Sequence, residues 1–242
     1  MRPIIPDWTA ASSVRALATT REGGVSRGAW RSLNLGESCD DAPEAVVENR
    51  RRLRLELPAD PLWLKQVHGS RVIHLDQWQP GIRADAAWTD RPEQVCAILA
   101  ADCLPILLAE QGGALVAAAH AGWRGLAADI LAGVVAALPA EPSTLLAWIG
   151  PAIGPAHYEV DAPVRNALLA LDGELSGCFE PTREGHWLAD LKAVAVMRLR
   201  RLGLGAVFDA KLCTAAEPQR FFSHRRDRGR SGRQASLIWI EP

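Results

Sequence analysis

The fold of this chain is constrained most by a continuous apolar segment that is followed by a histidine and an arginine. Residues 115–119 read Leu-Val-Ala-Ala-Ala and follow a pair of glycines, which is typical of a strand buried on both faces. Residues 126–138 then have the pattern of a helix. We therefore expect His120 at the carboxyl end of a strand and Arg124 at the start of a helix. Because open α/β sheets bind their ligands at that edge, this segment predicts a site for a small molecule.

The rest of the chain alternates predicted strands with predicted helices. Helices are expected from an Asx cap at Asp40 and Asp41 to about Leu55, and over 163–171 and 188–202. Apolar strands beside helices favour α/β, whereas consecutive strands between 62 and 109 favour some antiparallel pairing. We predict one α/β (α+β) domain with mixed sheets over residues 1–242. Its strands are expected at 14–21, 62–67, 71–75, 95–100, 104–109, 115–119, 145–149 and 235–240.

Composition excludes several classes of partner. The formal net charge is −1 over 242 residues, so no overall field attracts nucleic acid, although small anions are compatible partners. The apolar segment from Ala114 is interrupted by charged residues, so we expect no membrane span. The five cysteines are odd in number and scattered, and no secretory leader precedes them, which predicts reduced thiols in the cytoplasm. The oligomeric state stays open, with a monomer favoured.

Three side chains with metal-binding chemistry stand near predicted strand ends. His68 follows one strand, Cys103 lies between two apolar segments, and His120 ends a third. Two imidazoles and a thiolate suit zinc with a fourth position open, as in catalytic sites. The chain contains no C-x-x-C, H-x-H or H-E-x-x-H motif, so local spacing leaves open the alternative that each is a satisfied, buried side chain.

Segments along nearly the whole chain resemble, in order, the signature blocks of the YfiH-like family. That family has been labelled multicopper polyphenol oxidase or laccase-domain protein, and later purine nucleoside phosphorylase and peptidoglycan editing factor. The resemblance implies a three-layer α/β domain with mixed sheets and a cysteine-hydrolase-type fold. The matching segments include Lys65-Gln-Val-His68-Gly, Ala84-Asp-Ala-Ala-Trp-Thr89, Ala101-Asp-Cys103-Leu-Pro-Ile106, Ala119-His120-Ala-Gly-Trp-Arg124-Gly and Ile149-Gly-Pro-Ala-Ile-Gly-Pro155.

The resemblance implies a zinc site formed by His68, Cys103 and His120 and activity on purine nucleosides. The family's reported reactions are phosphorolysis of adenosine, inosine, guanosine and methylthioadenosine, and deamination of adenosine. Copper is an alternative metal in vitro, since Cu²⁺ outranks Zn²⁺ in affinity at most sites. The chain departs from the family by having His224 where a tyrosine is usual. His224 either adds a fourth ligand or replaces a phenol at the rim, and we favour the second.

Other polar side chains are candidates for catalysis and substrate binding. Asp102 is expected either to move a proton or to orient the neighbouring ligand. Arg124, Arg21 and Arg225, in that order, are candidates for binding phosphate, because the planar guanidinium binds oxyanions with paired donors; the alternative is that each pairs with a surface carboxylate. A helix start would add free amides at Arg124. Asn34 either binds a purine edge or ribose hydroxyl or occupies a turn.

Four functions are compatible with these residues. The first is a zinc-dependent purine nucleoside phosphorylase and adenosine deaminase. A copper polyphenol oxidase is opposed by six isolated histidines, which lack the paired ligands of multicopper sites. A hydrolase that edits muropeptide precursors would use Cys103 as nucleophile and His120 as base, which excludes Cys103 as a resting zinc ligand. A binding module without catalysis would retain nucleosides but not convert them.

Overall fold

Two large β-sheets and one small sheet, flanked by helices, make up the computed structural model, which describes residues 2–242. The strands are β1 Val14–Ala18, β2 Leu62–Trp63, β3 Val72–His74, β4 Ala86–Thr89, β5 Cys96–Ala100, β6 Leu104–Glu110, β7 Val116–Ala121, β8 Leu145–Ile149, β9 Glu159–Asp161, β10 Phe179–Arg183, β11 His186–Ala189, β12 Ala206–Asp209 and β13 Gln234–Ile240. The helices are α1 Pro43–Arg54, α2 Trp123–Ala127, α3 Ile130–Ala137, α4 Ala162–Leu171 and α5 Leu191–Arg201.

The sheets are mixed, as the sequence predicts. The six-stranded sheet has the order β12-β8-β6-β7-β4-β3, with antiparallel pairs at its centre and parallel pairs at both edges. The four-stranded sheet has the order β1-β13-β5-β2, and the small antiparallel sheet has the order β10-β11-β9. The prediction of a mixed α/β fold is confirmed.

The central strands are buried on both faces, which explains their continuous apolar sequence. In β6, Ile106 and Leu108 face a core shared with α3 and α5, while Leu107 and Ala109 face a second core shared with β5 and β13. A third core lies between the four-stranded sheet and α1. No helix within residues 2–242 is long and apolar enough to cross a membrane.

The segment around His120 differs from the prediction in two respects. Strand β7 continues through Ala121, so His120 lies within the strand, opposite Pro105 of β6. The predicted helix 126–138 is two helices, because Asp129 adopts a left-handed backbone (φ 56°) and its carboxylate caps α3 by accepting a hydrogen bond from the Ala132 amide. Helix α2 therefore has only five residues.

Several other element boundaries need correction. Helix α1 is capped by Ala42 rather than by an Asx side chain, because the Asp41 carboxylate instead accepts hydrogen bonds from Ser26 and Asn34. Helix α5 begins at Leu191, since the residues before it pair in β11. The predicted strands 14–21 and 62–67 are shorter, and strands β4, β9, β10, β11 and β12 are not among the predicted elements.

Candidate metal centre and its cavity

His68, Cys103 and His120 meet at one point in the structure. Their ligating atoms all lie within 4.8 Å of one another. The Cys103 Sγ lies 3.9 Å from Nε2 of His68, and the two imidazole rings meet edge to face with centroids 4.8 Å apart. Within residues 2–242, no other group of three or more His, Cys, Asp or Glu side chains is arranged to hold a metal ion. The arrangement therefore suits a metal ion held by two nitrogens and one sulfur.

Each of these side chains is supplied by a different segment. His120 belongs to β7, Cys103 directly precedes β6, and His68 lies in the loop between β2 and β3 with a left-handed backbone (φ 58°). Gly122 lets the segments approach, because a Cβ at this position would lie 2.8 Å from the Cys103 Sγ and 3.2 Å from Cδ2 of His68. A larger residue at 122 would displace two of the three ligands.

Asp85, which the sequence analysis did not single out, fixes both histidines. Its carboxylate is fully buried immediately before β4. Oδ1 accepts hydrogen bonds from the His68 amide at 2.8 Å and from Nδ1 of His120 at 2.9 Å, and Oδ2 accepts one from the Gly69 amide at 2.8 Å. The Val67 amide also donates to the carboxylate. Because Nδ1 of His120 is bound to Asp85, its Nε2 is left for a metal ion, an arrangement usual for metal-binding histidines.

Cys103 and His120 shift each other's pKa. Burial raises the pKa of the Cys103 thiol, but the charge of His120 and hydrogen bonds from both histidines outweigh burial and lower that pKa to about 6. Burial lowers the pKa of His120, but the Cys103 charge and the Asp85 hydrogen bond raise it to about 9. Both directions favour a Cys103 thiolate beside a His120 imidazolium. A metal ion would take the thiolate as it is and displace the imidazolium proton.

The centre opens into a cavity of about 950 Å³. Three arginines on its wall lie over aromatic rings. The distances from the guanidinium carbon to the ring centroid are 4.4, 4.6 and 4.7 Å. Such pairs offer flat surfaces together with oxyanion donors. The cavity is therefore suited to a ligand that has a planar ring and a negative charge. The pairs are Arg50 with Trp63, Arg124 with Trp123, and Arg225 with Tyr158.

Asp102 lines the cavity but its carboxylate is already bound on both oxygens. Oδ1 accepts from the Thr214 hydroxyl at 2.6 Å, and Oδ2 accepts from the Ser223 hydroxyl at 3.0 Å and from the Arg225 amide at 2.6 Å. These bonds join the segment that carries Cys103 to the segment that carries Arg225. These contacts favour the alternative in which Asp102 orients the neighbouring ligand over the alternative in which it moves a proton.

Arg124 and His224 also line the cavity. Arg124 is exposed, and no carboxylate of residues 2–242 lies within 4.0 Å of its guanidinium. Helix α2, which contains Arg124, has only five residues. We therefore base the prediction that Arg124 binds an anion on its side chain alone. His224 is exposed at the cavity and stands apart from the three converging ligands, which corresponds to the rim alternative.

The structure does not bring Asn34 and Arg21 to the cavity. The buried Asn34 side chain accepts from the amides of Gly36 and Arg233 and donates to the Gly36 carbonyl and the Asp41 carboxylate, so its hydrogen-bonding capacity is used within the loop. Arg21 donates to two backbone carbonyls and lies over the ring of Phe222. Both side chains organise the amino-terminal loop.

Comparison with known proteins identifies the family. The family model described as multi-copper polyphenol oxidoreductase laccase matches residues 15–241. The chain belongs to this laccase-like family. It is 47% identical over 239 residues to the purine nucleoside phosphorylase PA4543 of Pseudomonas aeruginosa and 45% identical over 240 residues to the purine nucleoside phosphorylase YfiH of Escherichia coli; each alignment covers 98% of both chains. The crystal structure of Neisseria meningitidis protein NMB0706, which is 42% identical, superimposes with a TM-score of 0.96 and covers 100% of both chains.

Replacing Asp85 by Asn should weaken both the fold and the metal centre. An amide in place of the carboxylate turns one acceptor into a donor that faces buried N–H groups. We expect the free energy of unfolding to fall by about 3 kcal/mol and zinc affinity to fall about 10- to 100-fold. Chemical denaturation and competition with a zinc chelator measure the two effects.

Asp90→Asn is the matched control, since Asp90 is a half-exposed carboxylate that contacts a histidine away from the centre. Its effects on stability and on zinc affinity should both be small. An Asp85→Asn variant that binds zinc as tightly as the wild type would show that Asp85 does not orient the histidines.

Proposed function

We propose that this protein is a zinc-dependent purine nucleoside phosphorylase that also deaminates adenosine. The observation that carries the proposal is the meeting of His68, Cys103 and His120 at the wall of a cavity rich in arginine. The names of the relatives support nucleosides as substrates. We further propose a monomer acting in the cytoplasm, where a thiolate ligand stays reduced.

The donor set fits zinc. Borderline imidazole nitrogens and a soft thiolate are the ligands that zinc combines in tetrahedral sites. Ligands at ~2.0 to ~2.3 Å from one ion lie about 3.3 to 3.8 Å apart in a tetrahedron, so the present separations of at most 4.8 Å require only small side-chain movements. His68, Cys103 and His120 would hold the ion, and three protein ligands would leave one coordination position for substrate or water. When bound there, zinc supplies Lewis-acid chemistry to an oxygen of substrate or water.

The cavity side chains bind and orient the reactants. Arg124 and Arg225 provide planar donors for inorganic phosphate beside the metal ligands, and the rings of Trp123 and Tyr158 provide apolar surfaces for a purine. In phosphorolysis a phosphate oxygen bonds to C1′ of the ribose, the bond from C1′ to N9 breaks, and the base leaves with that electron pair and takes up a proton. Positioned cations stabilise the charge that develops in this step.

Deamination needs a proton carrier near the centre. A water oxygen bonds to C6 of adenine, and the amino group leaves as ammonia after it gains a proton. Asp102 and Cys103 are the catalytic candidates at the centre, and Cys103 is itself a proposed metal ligand. Since Asp102 holds three hydrogen bonds, its proposed role is to keep Cys103 and Arg225 in place.

A cysteine hydrolase is the second candidate, and one observation favours it. The side chains of Cys103, His120 and Asp85 form a series of thiolate, imidazolium and orienting carboxylate. Such a series activates cysteine nucleophiles. The copper oxidase alternative uses the same three ligands for copper, but a multicopper enzyme needs further ligand groups beyond this single set. Metal content and substrate turnover separate these candidates.

Metal analysis of Cys103→Ser tests the proposal. We expect about one zinc per wild-type chain and loss of most of the zinc and most of the inosine phosphorolysis in the variant, because serine replaces the soft thiolate ligand. Mass spectrometry measures the metal, and hypoxanthine release with and without phosphate measures turnover. The control is Cys213→Ser, since Cys213 is half-buried outside the cavity and its acceptor role toward the Gly154 amide suits a hydroxyl.

Full zinc occupancy in Cys103→Ser would contradict the assignment of the ligands. Wild-type activity that persists without zinc and is blocked by alkylation of Cys103 would favour the cysteine hydrolase. Copper-dependent phenol oxidation that is lost in His120→Ala, together with no conversion of nucleosides, would favour the oxidase.

Arg124→Lys tests the phosphate site. Lysine keeps the charge but loses the paired donors, so we expect KM for phosphate to rise about tenfold while deamination of adenosine changes little. Steady-state kinetics of both reactions measure the effects. Arg71→Lys, an exposed arginine outside the cavity, is the control. Equal losses in the two reactions would show that Arg124 supports the structure of the site rather than phosphate binding.

A further inference from the structure

The cavity contains a second group of cations besides the arginines beside the metal ligands. This second group consists of Arg50, Lys65 and Arg233, and it shares the cavity wall with Glu37 and Ser38. Arg124 and Arg225 belong to the other group, since Arg124 follows His120 by four residues and the Arg225 amide donates to Asp102, the neighbour of Cys103. The proposed nucleoside reaction uses the metal side and leaves the second group without a role.

The backbone of Leu35 links Arg50 to Arg233. Nη1 of Arg50 lies 2.5 Å from the Glu37 carboxylate, and its Nε donates to the Leu35 carbonyl. The Leu35 amide in turn donates to the Arg233 carbonyl. The aliphatic stem of Arg233 lies against Gly36, where a Cβ would be only 2.7 Å from its Cγ. The glycine therefore makes room for the Arg233 side chain at the cavity wall.

Lys65 lies on the same wall. The backbone of Lys65 is extended and forms a β-bridge with Arg83. Because Lys65 follows Trp63 by two residues, we expect the side chains of Lys65 and Trp63 to lie on the same side of the segment. The Trp63 ring carries the Arg50 guanidinium at 4.6 Å. Within residues 2–242 no carboxylate lies within 4.0 Å of the Lys65 ammonium or the Arg233 guanidinium. Three cations and one carboxylate leave an excess of two positive charges.

We propose that the second group binds a phosphate ester carried by the substrate, so that the cavity accepts nucleoside 5′-phosphates as well as nucleosides. This inference rests on the proposed function for the nucleoside part. A phosphate monoester carries a charge of about −1.5 to −2 at neutral pH, which matches the excess of two positive charges better than a single carboxylate does. Arginine and lysine are both phosphate-binding side chains, and the Ser38 hydroxyl is a further donor.

The size of the cavity agrees with an extended ligand. Small-molecule sites enclose about 300 to 1,000 Å³, and about 950 Å³ places this cavity near the upper limit. The proposed nucleoside reaction assigns no group of the ligand to the wall with Lys65 and Arg233. A 5′-phosphate extends the ligand away from the base, and the proposal assigns it to that wall.

Calorimetric titration with inosine and inosine 5′-monophosphate tests the proposal. The zinc-loaded protein is used in phosphate-free buffer, where inosine is neither phosphorolysed nor deaminated. We expect the monophosphate to bind about tenfold more tightly than inosine, and we expect Lys65→Gln and Arg233→Gln, which each remove one positive charge, to remove most of that preference without changing inosine affinity. Arg200→Gln, which removes an exposed cation near the end of α5, should change neither affinity.

Each other outcome has a definite meaning. Equal affinities for the two ligands, or a preference that persists in Lys65→Gln, would overturn the proposal. Loss of the preference in Arg124→Lys but not in Lys65→Gln would place the ester at the metal side and would also overturn it. If neither ligand binds, the nucleoside function itself fails, whereas inosine binding without a monophosphate preference rejects only the second anion site.

Discussion

The buried carboxylate of Asp85 is the interaction on which the candidate centre depends. Four N–H groups from two segments of the chain converge on it, three from the loop that carries His68 and one from the ring of His120. A buried charge is tolerated only when it is fully paired. The same bonds that satisfy the carboxylate therefore set the position of one ligand and the orientation of another, so the stability of this region and the geometry of the centre share one cause.

Charge explains how the surrounding wall is organised. The thiolate of Cys103 and the carboxylates of Asp85 and Asp102 are each matched by a donor within the wall. The cavity cations in contrast are held by aromatic rings and backbone carbonyls more often than by carboxylates. Ring and carbonyl contacts fix an arginine without neutralising it. The wall consequently keeps a positive field inside a confined space, where oxyanions are bound most strongly.

The sequence predicts the parts of the structure that repeat a simple pattern. The apolar segment around Val116 predicts a buried strand, and the positions of the histidines and cysteine near predicted strand ends allow a meeting point, because ligands bind at such an edge of an α/β sheet. The break at Asp129 was missed, since a left-handed residue leaves little trace in an apolar pattern. Asp85 was missed because only the fold brings its partners together, which are three backbone amides and the imidazole of His120. The side-chain amide of Asn34 has the donor and acceptor that a substrate-binding residue needs, yet contacts within the protein use all of its donors and acceptors.

The central proposal is that a thiolate and two histidines held by one carboxylate form a three-ligand zinc centre open to the cavity. X-ray absorption at the zinc edge of the purified protein tests it most directly. We predict two nitrogen neighbours at ~2.0 to ~2.1 Å, one sulfur at ~2.3 Å and one further light atom from solvent or substrate. A zinc shell without sulfur, or one with two or more sulfurs, would contradict the account.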